Sequence, residues 1–115
     1  MALTREWRIH ANGYDGHLEV TADAAGHVTG TVRFGGEPDN QLKAGFWDET
    51  SKKLVFTRVI DPNDSSKDQI YTGYWFPRNH TQPNGPSDLA GSFVAFAGTG
   101  GTPARHIFGW HATHG

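Results

Sequence analysis

Arg58 lies within Leu54-Val55-Phe56-Thr57-Arg58-Val59-Ile60, and alternation puts it on the face that carries Leu54, Phe56 and Ile60. A guanidinium among apolar neighbours must be paired or reach water. It can grip a ligand carboxylate or phosphate through a bidentate contact. The expected arrangement is instead pairing with Asp48 or Glu49 on the preceding strand, or exposure at a rim. On the same period-2 reading Trp7, Ile9, Val32, Tyr71, Trp75, Phe93 and His111 point inward. Together with Arg58 they form the candidate ligand site, an aromatic pocket with one titratable group, His111. Such pockets suit flat hydrophobic ligands or sugar faces. The same side chains could equally fill a solid barrel core.

Other chemistry is weaker. Seven histidines invite a metal, but His106 and His111 are five apart and so on opposite strand faces. His10, His17 and His27 fall on or near solvent faces, and no set of three or four ligands converges by spacing. No metal and no cofactor is expected. The segment 61–68 resembles a calcium loop yet lacks the Gly at its sixth position and the closing Glu, so it reads as a solvated turn. The glycine-rich segment 98–103 precedes a strand rather than a helix and reads as a flexible hairpin and lid, not a phosphate cradle. No serine sits in a nucleophile context, and the acidic residues lie mostly in turns, so no catalytic residue is assigned. Lys43 and Trp47 share a face by alternation and are expected to stack at the surface.

These residues need rigid elements to position them. Apolar residues recur at every second position in short tracts punctuated by Gly, Pro, Asn or Asp, the signature of strands joined by turns. Eight strands are expected, at 6–12, 17–23, 27–34, 41–48, 53–60, 69–76, 88–97 and 105–113. Short connectors make consecutive strands neighbours. The fold class is all-β, a single eight-stranded antiparallel up-and-down β-barrel spanning 1–115, with its ligand mouth beside the longer loops 61–68, 77–87 and 98–103.

Strands in the first half alternate apolar with polar: Leu18, Val20 and Ala22 oppose His17, Glu19 and Thr21. Later strands are apolar on both faces, with Val55 and Val59 opposing Leu54 and Phe56, and Ile70, Tyr74 and Phe76 opposing Tyr71 and Trp75. Faces of that kind are normally covered. A homodimer or homotetramer through strands 53–60, 69–76, 88–97 and 105–113 is therefore expected.

The chain has 115 residues, 10 basic and 12 acidic side chains, a net charge of −2 and no cysteine. This balance offers no broad footprint for nucleic acid or an anionic membrane, and stability must come from packing rather than disulfides. The first residues lack the basic and apolar regions of a secretory signal, so a soluble, cytoplasmic protein is expected.

Several short pieces resemble the avidin and streptavidin family of eight-stranded barrels. They are Trp7, Asn12-Gly13, Leu18-Glu19-Val20-Thr21 and Gly26-His27-Val28-Thr29-Gly30-Thr31-Val32 in the first third, Tyr71-Thr72-Gly73-Tyr74-Trp75-Phe76 in the sixth strand, and Phe108-Gly109-Trp110-His111 in the eighth. The resemblance implies an avidin/calycin-like meander, oligomeric through its later strands. It departs at the ligand contacts. Ile9 stands where the family has a ureido-binding asparagine, Val32 where it has a tyrosine, and His111 where it has an aspartate. Tyr71 keeps the type of an aromatic wall, and Phe93 stands in for a tryptophan. Unpaired ureido atoms would cost about 1–3 kcal/mol each, so biotin is not the expected ligand.

Three functions fit these residues. The first is a non-enzymatic barrel that binds a small organic ligand or carbohydrate. The second is a protein-recognition, inhibitor or assembly module working through the 77–87 loop. The third is a small isomerase or cyclase with Tyr71 and His111 as proton donor and acceptor.

Overall fold

In the computed structural model, residues 3, 5–95, 97 and 105–115 are described. Eight antiparallel strands follow in order: β1 (Arg5–Ala11), β2 (Tyr14–Ala22), β3 (His27–Phe34), β4 (Asn40–Asp48), β5 (Lys53–Arg58), β6 (Gln69–Pro77), β7 (Ser87–Ala95) and β8 (Ile107–His114). Each pairs with the next, and β1 pairs with β8 to close the barrel. The up-and-down barrel expected from the alternation is thus the fold. Residue 96 and the lid expected at 98–103 lie outside the described residues. No described helix is long and apolar enough to cross a membrane.

The first hairpin is tighter than its composition suggests. Asn12 and Gly13 both take positive φ, at 48° and 80°, the two-residue geometry that matches strand twist. Tyr14, Asp15 and Gly16, expected in the loop, therefore enter β2, where Gly16 pairs with both Ile9 and Phe34.

Strand β4 breaks the alternation. Ala44 has φ 50°, and the pairing register shifts against β3 and, between Lys43 and Phe46, against β5. One extra residue turns the following side chains over. Leu42 and Trp47 are consequently both buried although five apart, while Lys43 and Phe46 face out. Lys43 and Trp47 do not stack. Lys43 Nζ instead binds the buried Asp68 at 2.7 Å, and Trp47 Nε1 donates to Glu49 at 2.6 Å.

The interior below the mouth is filled. Trp7, Ile9, Leu18, Val32, Leu54, Phe56 and Leu89 are all essentially inaccessible. Trp110 crosses the barrel wall side of this core, donating Nε1 to the carbonyls of Thr72 (3.2 Å) and Ser92 (3.1 Å). Its indole needs a glycine at position 73, and the neighbouring Gly91 is required by the close β6 backbone. A Cβ on Gly73 would come within 2.5 Å of the ring, and one on Gly91 within 1.8 Å of the Thr72 carbonyl oxygen.

The outer wall is asymmetric. On β1–β3 it carries Glu6, Arg8, His17, Glu19 and Arg33. On β4–β8 it carries Phe46, Val55, Ile70, Tyr74, Phe76, Val94 and Ile107. Ile107 is 75% exposed, Phe76 54% and Phe46 48%.

Candidate functional site

In an up-and-down barrel successive connections alternate between the two ends. The β1–β2, β3–β4 and β5–β6 connections therefore share one mouth, and the β6–β7 loop lies at the other end. At the first mouth is a solvent-open cavity of about 800 Å³, lined by residues from all three connections and by Phe34, Arg58, Gln69, Tyr71 and Phe93 from the barrel wall. Volumes of a few hundred to about 1,000 Å³ are typical of small-molecule sites. The 77–87 loop contributes nothing to it. That loop is closed on itself by the backbone bonds from Arg78 to Pro86 and from Gln82 to Asn79, and by the Arg78–Asp88 ion pair at 2.9 Å. The mouth lies beside the long 61–68 loop, as expected, and on the opposite end from 77–87, contrary to expectation.

Of the eight candidate residues, Arg58, Tyr71 and Phe93 line the cavity. Trp7, Ile9, Val32 and Trp75 point inward and are buried, but belong to the packed core beneath it. His111 is a correction. It is exposed on the outer wall, stacked on His10 with ring centroids 4.7 Å apart, while His10 pairs with Asp15. Its neighbours Trp110 and Ala112 are the inward residues of β8. The pairings His10–His111 and Ile9–Ala112 put Ile9 and Ala112 inside together, so the proton acceptor assigned to the third functional reading is on the wrong side of the barrel wall.

Arg58 is also partnered differently from expectation. Neither Asp48 nor Glu49 reaches it, because antiparallel pairing sets Asp48 against Lys53 at the far end of β5. Arg58 Nε donates to Asn40 Oδ1 at 2.8 Å, and Nη1 donates to Gln69 Oε1 at 3.0 Å. The guanidinium carbon stands 4.8 Å from the Phe34 ring centroid. Two neutral amide oxygens and an aromatic face thus hold the cation, and no carboxylate among the described residues forms an ion pair with it.

Gln69 is the hinge of this arrangement. Only 2% exposed, its Oε1 also accepts from the Tyr71 hydroxyl at 3.1 Å. Burial pushes the Tyr71 phenol up to about 12, against the opposing pull of the nearby Arg58 charge, so it remains a donor at any ordinary pH. Tyr71 is sandwiched by Phe56 (4.9 Å) and Phe93 (4.6 Å), both near parallel, which makes a rigid aromatic floor. Phe34, Asn40 and Gln69 were missed at the sequence level. Phe34 and Gln69 were nonetheless visible, each two residues from an inward neighbour, Val32 and Tyr71 respectively.

The remaining polar clusters have other duties. In 61–68, Asp61 accepts from the Asn63 amide and Asp64 from the Ser66 amide, capping the 3₁₀ turn Ser65–Lys67, while Asp68 takes Lys43. Its carboxylates serve the backbone and the barrel wall. One set of potential ligands that strand spacing did not reveal converges across β1 and β2: Glu6, His17 and Glu19, with ligand atoms within 4.8 Å of one another. Glu6 and Glu19 are exposed, and the set faces solvent on the outer wall away from the cavity.

Comparison with known proteins adds no relative: no protein-family model, no curated protein and no solved structure matches this chain.

Proposed function

We propose that the protein is a non-enzymatic binding barrel that takes a small organic ligand in the cavity at the mouth formed by the β1–β2, β3–β4 and β5–β6 connections. The observation that carries this reading is the division of the interior: the lower barrel is packed solid, whereas the upper part opens into about 800 Å³ walled by Phe34, Tyr71 and Phe93. A barrel needed only as a rigid stand has no reason to leave that space. Ala11 lines the cavity, so Ala11→Phe adds a ring to its wall. Naphthylmethanol, a neutral planar probe, is expected to raise the melting temperature of the wild type and to do so far less for Ala11→Phe. No shift with the wild type by this probe or by naphthoate overturns the reading.

The chain self-associates through the outer wall of β4–β8, where exposed Tyr74, Phe76 and Ile107 accompany Ile70 and Val94. Apolar patches of this kind mark contact surfaces. Sedimentation at micromolar concentration is expected to give a mass above the 12.6 kDa monomer, and Tyr74→Asp is expected to lower it. A clean wild-type monomer overturns the assembly.

A further inference from the structure

The cavity contains a cation with no ion-pair partner among the described residues. A guanidinium has five N–H donors. Two are used, on Asn40 and Gln69, and the Tyr71 hydroxyl is a further hydrogen-bonding neighbour of the guanidinium. No carboxylate among the described residues takes the remaining donors, although Arg58 lines the cavity. The charge is partly buried, its two amide partners are neutral, and Phe34 covers one face. A cation removed from bulk water gains most from an anion that can approach its free edge.

The two acidic residues that line the cavity do not fill that role. Glu37 and Asp39 belong to the β3–β4 connection that lines the cavity, and Asp39 leans towards Arg33 at 3.8 Å with both side chains about half exposed. Water screens charges in such positions. Arg58, set against the buried Gln69 and the aromatic floor, is screened less. One inner cation, with two acids in the cavity lining and the aspartates of the β5–β6 connection at the same end of the barrel, favours a single negative charge over the double charge of a phosphate monoester.

We propose that the ligand is a planar, apolar carboxylate whose anion sits on the free edge of the Arg58 guanidinium and whose ring system lies against Phe34, Tyr71 and Phe93, with Asn40 and Gln69 as positioning residues. This rests on the binding-barrel reading and names the class of ligand. Gln69 holds Arg58 and Tyr71 through one oxygen, so the cation and the aromatic floor keep a fixed relation.

The test is titration calorimetry with naphthoate and its neutral isostere naphthylmethanol. Wild type is expected to bind naphthoate about ten-fold or more tightly than naphthylmethanol, as a charge-assisted contact provides. Arg58→Gln is expected to abolish that preference while keeping naphthylmethanol affinity. Arg8→Gln removes the same charge from the outer wall and is expected to preserve it. Should Arg58→Gln fail to fold, Gln69→Glu places a carboxylate against the guanidinium and is expected to abolish the preference with Arg58 still present. Equal wild-type affinity for the two probes overturns the carboxylate assignment and leaves the cavity as a neutral site. A preference that survives both Arg58→Gln and Gln69→Glu also overturns it. Binding of neither probe overturns this inference together with the binding-barrel reading.

Discussion

Trp110→Ala is expected to destabilise the protein by about 3–5 kcal/mol, a large part of the roughly 5–15 kcal/mol that holds a small domain together. The indole is 4% exposed. Its ring meets Phe56 and Tyr71 edge to face, at 6.0 and 5.8 Å, and its Nε1 satisfies two strand carbonyls. Truncation removes all of these contacts at once. The void cannot collapse easily, because the adjacent wall is Gly73 and Gly91, which have no side chains to move inwards. Trp110→Phe keeps a ring in the space while losing the donor, and should recover part of the loss. Urea denaturation measures both. A loss below about 1 kcal/mol for Trp110→Ala would mean that the indole is not a core element.

The second large effect is alkaline. Tyr71 has its phenol raised from 10.0 to about 12 by burial. Below the unfolded value the phenol is protonated in both states, and its contribution to stability is fully present. Between the two values the unfolded chain releases the proton and the folded barrel does not, so the unfolded state gains. Above the folded value the loss is complete. At about 1.4 kcal/mol for each unit, wild type should lose about 2–3 kcal/mol between roughly pH 10 and 12 through this one group. Tyr71→Phe keeps the stack with Phe56 and Phe93 and should remove that component. The measurement is the difference in urea stability between wild type and Tyr71→Phe across this range. A difference that does not change with pH would show that Tyr71 ionises equally in the folded and unfolded chains.

Much of the barrel was legible. Strand β3 was located to the residue, and the other strands to within a few positions, because period-2 alternation and turn chemistry are local properties. The inward faces of β1, β5 and β6 followed from the same pattern, which is why Arg58, Tyr71 and Trp75 were oriented correctly. His111 was misplaced although β8 alternates, with Phe108, Trp110 and Ala112 on one face and Ile107, Gly109, His111 and Thr113 on the other; Ile107 gives the outer face an apolar start. Phe34 and Gln69 were legible but unused. The position of the mouth was also available: alternation of connections between barrel ends separates 61–68 from 77–87 without coordinates.

By itself, the sequence determined the number of strands, their neighbour order, the asymmetry between a polar and an apolar outer wall, and the presence of an arginine on an inward face. These depend on side-chain period, turn residues and the dislike of charge for apolar surroundings. Only the tertiary structure decided that Ala44 would bulge and turn Trp47 inward, that β8 would present Trp110 rather than His111 to the core, and that Arg58 would meet Asn40 and Gln69 instead of Asp48 or Glu49. Each of those outcomes turns on register between strands, and in a closed barrel the register of every pair must also satisfy the joining of β1 to β8. That condition links residues about a hundred positions apart, and no local pattern encodes it.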